Sequence, residues 1–398
     1  MSRSIADAPA YVTNGTPNER SAQVRFGLPM EVALWIQLSV LVVAGLIMIY
    51  SASSSVTFKS LSDSAEHVHS TNQYLYKQLF CMVLGFVTLL VVRRIPYRLY
   101  SDWAPWMLLA AVGALVLVLV PGLGVEINRA RRWFQLKVFL LQPAEYAKVV
   151  WVVFLSASLC RKQDRVKNIG SGFIPHMFWC GVLSILLLLE PDFGTTFMIG
   201  CLTVLLLTVG GVPLRHLFML VPVGALGFYK AVYHVPYRWE RITSFLNPWT
   251  DPLDSGYQLI QAWIAVGTGG WLGKGLGASQ QKLFYLPEAF TDFIFAVIGE
   301  EVGLLGIVAI VLLFFWFFTT GVKIARSAPD YLGTLLALGL TMMLTLQAIL
   351  NMGVVLGLFP TKGLPLPFLS YGGSAFTANC LAVGILMNIA RSSQQRVE

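Results

Sequence analysis

Apolar residues run along this chain in long unbroken blocks, separated by short polar breaks. Block length therefore carries the structural signal. A helix of about 20 apolar residues crosses the hydrocarbon core of a bilayer. Ten such blocks stand at roughly 32–51, 75–92, 104–121, 143–160, 173–190, 193–210, 216–234, 292–319, 332–358 and 374–390. They predict an all-α polytopic membrane protein with about ten transmembrane helices. The longest gap, 230–291, lies between the seventh and eighth blocks and predicts a large extracytoplasmic loop. Inside it, Leu259 to Val266 is apolar but too short to span, which predicts an interfacial or re-entrant piece. Residues 1–30 are polar and carry no secretory signal pattern, so they read as a flexible cytoplasmic tail. The transmembrane domain then covers 31–390, and 391–398 is a short cytoplasmic C-terminal tail.

One connection breaks the pattern. Pro360 to Ser374 reads PTKGLPLPFLSYGGS, between two membrane-length segments. Its prolines, glycines and lysine cannot form a simple helix. Irregular backbone at membrane depth is tolerated only where it is buried in protein or lines a cavity. The segment marks a site or the wall of one, with Lys362 and Ser370 as polar candidates for contact with a ligand.

Composition agrees with the block pattern: 56% of residues are hydrophobic and 12% charged. The net charge of +8 reflects loops that set orientation, so nucleic acid is a poor partner for this chain. With the N-terminus inside, the short inner loops carry Arg93, Arg94, Arg98, Arg161, Lys162, Arg165 and Lys167. The remaining cations do not scatter over the outer face. Arg129, Arg131, Arg132 and Lys137 crowd one outer loop, and Lys230, Arg238, Arg241, Lys274 and Lys282 occupy another. Outer positive charge opposes the orientation bias, so it calls for an anionic ligand or for lipid headgroups. Five cysteines lack CxxC spacing, and His67 with His69 has no neighbouring ligands to complete a metal site. The glycines from 267 to 277 lack the spacing of a phosphate loop and read as flexible backbone.

Acidic residues at the edge of apolar blocks are costly and mark function more often than those in loops. Asp292 opens the eighth block. It complements a helix dipole, or it is a carboxylate aimed into an outer cavity as a general base. Glu288 stands one turn earlier and supports it if the turn has begun. Glu145 and Lys148 share one face of the fourth block. They form an ion pair that makes both charges tolerable, or they line a polar cavity whose lysine meets an anion. Glu190 to Thr196 reads as a tight acidic turn. In Arg131-Arg132-Trp133, guanidinium forks suit phosphate, while the indole anchors at the interface or stacks on a sugar.

These motifs resemble the SEDS family (shape, elongation, division and sporulation). The resemblance rests on Pro360 to Ser374, Gln142-Pro143-Ala144-Glu145 and Thr291-Asp292-Phe293-Ile294-Phe295. Asn247 to Pro252 and the polar N-terminal extension are similar to the division branch rather than the elongation branch. Arg129 departs from the family pattern, which has glycine there. The resemblance implies a peptidoglycan glycosyltransferase of the inner membrane, acting at the septum to polymerise lipid II into a nascent glycan strand. It implies Asp292 as the essential carboxylate, and places the family's fourth-span pair on Glu145 and Lys148. Implied partners are a division-specific class B penicillin-binding transpeptidase (FtsI-like) and the FtsQ–FtsL–FtsB complex. No cofactor is fixed, but a divalent cation, Mg or Mn, would suit a pyrophosphate leaving group.

Two rival functions stand beside this one. A lipid II flippase needs the cationic cavity and apolar groove without bond making. A non-enzymatic division scaffold needs neither the intramembrane charges nor the outer basic cluster. An ion-coupled transporter would show internal repeats, which this chain lacks.

Overall fold

The computed structural model describes residues 29–62, 71–127, 130–136, 139–283, 285–361 and 363–394. Lys362, Arg129, Lys137, His67, His69, nearly all of the N-terminal tail and residues 395–398 lie outside the described residues.

The apolar blocks fold as helices close to their expected bounds. They are α1 (Met30–Ser62), α2 (Thr71–Val92), α3 (Tyr97–Leu119), α4 (Pro143–Arg161), α5 (Ile174–Leu189) and α6 (Phe193–Val209). The seventh block is broken into α7 (Leu214–Phe218), α8 (Leu220–Phe228) and a π-helical turn at Tyr229–Tyr233. After α9 (Pro236–Leu246) and α10 (Tyr257–Gly269) come α11 (Ile294–Ser327), α12 (Tyr331–Val355) and α13 (Gly373–Gln394). Eight helical segments among the described residues are long and apolar enough to cross a membrane. The sixth and seventh predicted spans are represented by shorter apolar helices.

Local signals set several starts. Pro143 begins α4, where its missing N–H costs nothing. Asp192 caps α6 through Thr195 N at 3.0 Å, and Asp330 caps α12 through Gly333 N at 2.8 Å. α4, α12 and α13 bury most of their lengths, whereas α2, α3 and α5 face outward. The centre of the bundle is therefore built from α4, which carries Glu145 and Lys148, together with α12 and α13.

Two features depart from the sequence reading. Residues 124–141 form a small antiparallel sheet, β1 (Gly124–Ile127), β2 (Ala130–Gln135) and β3 (Leu140–Leu141), in that order. Its strands are too short to register against the long apolar blocks. The glycine-rich stretch after α10 is also closely packed rather than loose. Gly273 N bonds Gly269 O at 2.8 Å, Lys274 N bonds Glu300 O at 3.0 Å, and Leu304 N bonds Gly270 O at 2.9 Å. These bonds bring two backbones together at Gly303, which interrupts α11 at φ 74°. A Cβ there would lie 2.3 Å from Gly273 N, so only glycine permits both the turn and the approach.

Candidate active site

Asp292 sits in the turn leading into α11 rather than inside the helix, which begins at Ile294. The turn is closed by Glu288, whose carbonyl accepts from Thr291 N and Phe293 N, each at 3.2 Å. Glu288 holds the left-handed region at φ 54°. Its exposed carboxylate accepts from Thr291 Oγ1 at 2.8 Å.

The proline-glycine motif is folded directly over this turn. Asn351 of α12 donates to both Asp292 O and Leu364 O at 2.7 Å. Ser370 Oγ donates to Thr291 O at 2.5 Å and accepts from Leu366 N at 2.8 Å. Tyr371 N bonds Phe290 O at 2.9 Å. A methyl group on Gly363 would lie 3.0 Å from Asp292 Oδ2, so the motif backbone forms one wall beside the carboxylate. Ser370 is buried and ties two segments together, which corrects its expected role as a ligand contact.

Glu145 and Lys148 are buried in α4 and paired at 2.9 Å. Lys148 also donates to Gln347 Oε1 at 2.6 Å, and Gln347 Nε2 donates to Pro365 O at 2.8 Å. The pair thus supports the motif from below. The intrahelical ion pair foreseen from the sequence is present, and it extends through Gln347 to the wall of the site. Lys148 does not present its ammonium to solvent.

Arginines of β2 and α9 act electrostatically on Asp292. Arg132 donates to the backbone carbonyls of Glu190 and Pro191, clamping the α5–α6 turn. Its guanidinium carbon lies 6.0 Å from the Trp133 ring centroid. Arg131, the adjacent residue on β2, pairs with Glu126 at 3.1 Å, beside a break in the β1–β2 register. Arg238 and Arg241 are three residues apart on α9 and share a face. Arg241 Nη1 reaches Thr361 O at 3.4 Å, beside the motif. Burial and the nearby Arg132 and Arg241 hold Arg238 below the usual guanidinium value. Arg238 and Arg241 were legible only as outer charge, because nothing local says that α9 folds back onto the motif.

Lys274 and Lys282 do not join this group, contrary to the expectation for outer cations. Lys274 pairs with Glu300 at 2.8 Å and Lys282 with Glu301 at 2.7 Å, around the Gly303 break. The close backbone approach there places two glutamates under the glycine-rich loop, where the lysines neutralise them.

The electrostatics set two carboxyls apart. The Asp292 carboxyl is pushed up to about 7, chiefly by desolvation and then by the Glu288 charge, while Arg241 and Arg132 pull the other way. Glu190 is fully buried and pushed up to about 8, again mainly by desolvation and then by Asp192. Both carboxyls are thus biased toward the protonated form relative to an ordinary carboxylate, with Glu190 at the higher value.

A family model described as cell cycle protein, FtsW/RodA/SpoVE, matches residues 31–395. The chain belongs to the FtsW/RodA/SpoVE family. It is 43% identical over 349 residues to the probable peptidoglycan glycosyltransferase FtsW of Trichlorobacter lovleyi, covering 87% of this chain and 89% of that one. It is 40% identical over 355 residues to stage V sporulation protein E of Bacillus subtilis, covering 89% and 95%. Rod shape determining protein RodA of Thermus thermophilus superposes with a TM-score of 0.64 at 25% identity, covering 90% of this chain and 95% of RodA. A chain of a peptidoglycan synthase complex that couples polymerisation to crosslinking superposes with a TM-score of 0.68 at 29% identity, covering 88% and 98%. This is the family that the three sequence motifs resemble, and its FtsW members share the greater part of this chain. The chain is accordingly a multi-pass membrane protein.

Among the described residues, no three His, Cys, Asp or Glu side chains gather to hold a metal ion. The donors present do not fit a protein-built cation cage.

Proposed function

We propose that this protein is a peptidoglycan glycosyltransferase that polymerises lipid II, with Asp292 as the general base. The observation that carries the assignment is the setting of Asp292. It is a half-buried carboxylate raised to about 7, beside a motif wall and under the Arg132 and Arg241 charges. A base is most effective when its pKa lies near the working pH.

The chemistry follows from the substrate class. Lipid II carries its sugar on a pyrophosphate, which leaves as a stabilised anion and needs positive charge rather than a protonating acid. The acceptor sugar's 4-hydroxyl attacks the anomeric carbon as Asp292 takes its proton. The bond from that carbon to pyrophosphate oxygen breaks, and the electron pair departs with the pyrophosphate. Direct displacement inverts the anomeric centre. One carboxylate suffices, unlike the pair needed by glycosidases. Arg132, Arg238 and Arg241 supply the field for the leaving group, with Arg131 and Lys362 as further phosphate contacts and Trp133 as a stacking surface. Glu145 and Lys148 position the motif through Gln347 rather than touch substrate, and Glu288 tunes the base.

In this reading Asp292 faces the extracytoplasmic side, both termini are cytoplasmic, and the protein acts at the division septum. Its partners are an FtsI-like class B transpeptidase and the FtsQ–FtsL–FtsB complex. The test is glycan polymer formation from purified lipid II by the full chain with its transpeptidase, comparing wild type with Asp292→Asn. Polymer from wild type alone supports the assignment. Normal polymer from Asp292→Asn removes the base role, and no polymer from either points to a flippase or scaffold.

A further inference from the structure

The end of the bundle opposite Asp292 holds a second charged hollow. α13 starts at the motif and runs 22 residues, about 33 Å at the helical rise, to that end. There a cavity of about 400 Å³ opens between the α2–α3 turn and the last turns of α13. It is lined by Arg93, Arg94, Pro96, Asn388, Arg391 and Ser392.

The frame of this cavity is fixed. Asn388 Oδ1 accepts from Tyr97 N at 3.0 Å, and its Nδ2 donates to Arg93 O at 2.8 Å, so both ends of the turn are pinned to α13. Arg93 pairs with Glu31 at 2.6 Å and lies 5.7 Å from the Trp35 ring centroid. Other arginines at helix ends have acidic partners: Arg98 at the start of α3 meets Asp330 at 3.0 Å, and Arg161 at the end of α4 meets Asp102 at 3.4 Å. Arg94 and Arg391 are exposed on the rim, and among the described residues neither is paired with an acid. The C-terminal carbonyls of α2 and α13 disfavour an anion here, and the N-terminal end of α3 at Pro96 favours one, so the helix ends are on balance unfavourable. The guanidinium charges outweigh them, because each is a full charge against the partial charge of a helix end.

The surroundings say what kind of anion fits. Val83, Val87 and Leu90 form an exposed apolar stripe on α2, at helical spacing, and Arg94 continues it. An acyl chain laid along that stripe ends at the cavity. We propose that the cavity binds the phosphate of an anionic phospholipid headgroup, with Arg94 and Arg391 as its charged contacts and the lipid tail on α2. A soluble phosphate shares the headgroup chemistry but makes no use of the stripe.

The test is native mass spectrometry of the full chain from phosphatidylcholine nanodiscs, titrated with phosphatidylglycerol. One phosphatidylglycerol is retained by wild type. Arg94→Gln with Arg391→Gln weakens it about 25-fold, at roughly a factor of five for each arginine. The control Arg165→Gln with Lys167→Gln removes the same charge elsewhere on this face and leaves retention unchanged. Equal weakening in both double variants, or no retained lipid in wild type, overturns the proposal. Glycerol phosphate that binds as tightly as the lipid overturns the lipid assignment in favour of a soluble ligand. Should the double glutamine variant melt lower in phosphatidylcholine alone, the single variants Arg94→Gln and Arg391→Gln replace it. Each weakens retention about fivefold, and retention unchanged in both overturns the proposal.

Discussion

Asp292 and the Glu300–Glu301 pair lie within ten residues of one another, yet the fold treats their carboxylates in opposite ways. Glu300 is fully buried and accepts from Lys274 Nζ, Ser279 Oγ, Gln280 N and Gln281 N. Glu301 is met by Ser51 Oγ at 2.6 Å and Lys282 Nζ at 2.7 Å. Asp292 is less buried, but among the described residues its side chain receives no hydrogen bond, and after desolvation the largest influence on it is the like charge of Glu288. A carboxylate with all its donors supplied holds structure. One that is desolvated without them is left available to take a proton.

The sharpest way to break this contrast is Asp292→Asn. Polymerisation should fall about 10³-fold, the range expected for loss of a general base, with the fold intact. The stability effect has a definite sign. The folded-state value of Asp292 is raised to about 7 from an ordinary 3.8. Its contribution is therefore full below about pH 4 and is lost as pH rises through about 7. Thermal melts should show Asp292→Asn matching wild type at pH 4 and exceeding it at pH 8. A variant that melts lower at pH 8 would mean that the carboxylate is structurally paired after all.

Glu301→Gln should do the reverse. It leaves the buried Lys282 ammonium without its counter-charge, at a cost of about 3 kcal/mol. Denaturation in detergent would show the loss, while polymerisation per folded molecule stays close to wild type. If activity falls as far as in Asp292→Asn, the two regions are not separable.

Asn351→Ala tests the link between wall and base. It leaves the carbonyls of Asp292 and Leu364 without their shared donor. A loss of about 10- to 100-fold in kcat is expected, since each such bond is worth about 1 kcal/mol and the base is displaced as well. KM should change little. A KM effect with kcat preserved would make Asn351 part of substrate binding instead.

The sequence exposed the two regions unequally. The helices of the bundle were legible because membrane thickness imposes a block length that no soluble fold requires. The proline-glycine motif and Asp292 were legible because both violate that block pattern. The Glu300–Glu301 network was not, since Ser51 and Lys282 are brought to it by helix packing and by the Gly303 break, which hides inside an apolar run. Arg238 and Arg241 were visible as charge but not as site residues, because their meaning depends on where α9 lies. Glu145 and Lys148 were recognised as a pair, but their reach through Gln347 to Pro365 is a tertiary fact.

The smallest effect is also the most specific to the proposed base. Polymerisation should rise with pH through about 7 as Asp292 ionises. The groups that set this limb are Glu288 and Asp192 on the raising side, and Arg241 and Arg132 on the lowering side. Glu288→Gln removes a negative charge, makes ionisation easier, and should move the limb to lower pH with little change in the plateau rate. Arg241→Gln removes a positive charge and should move it to higher pH, while also weakening the field on the leaving pyrophosphate and so lowering the plateau. The opposite directions of the two shifts are the diagnostic. A limb that moves the same way in both variants would reflect a general disturbance of the turn, and the titrating group would then have to be sought elsewhere than Asp292.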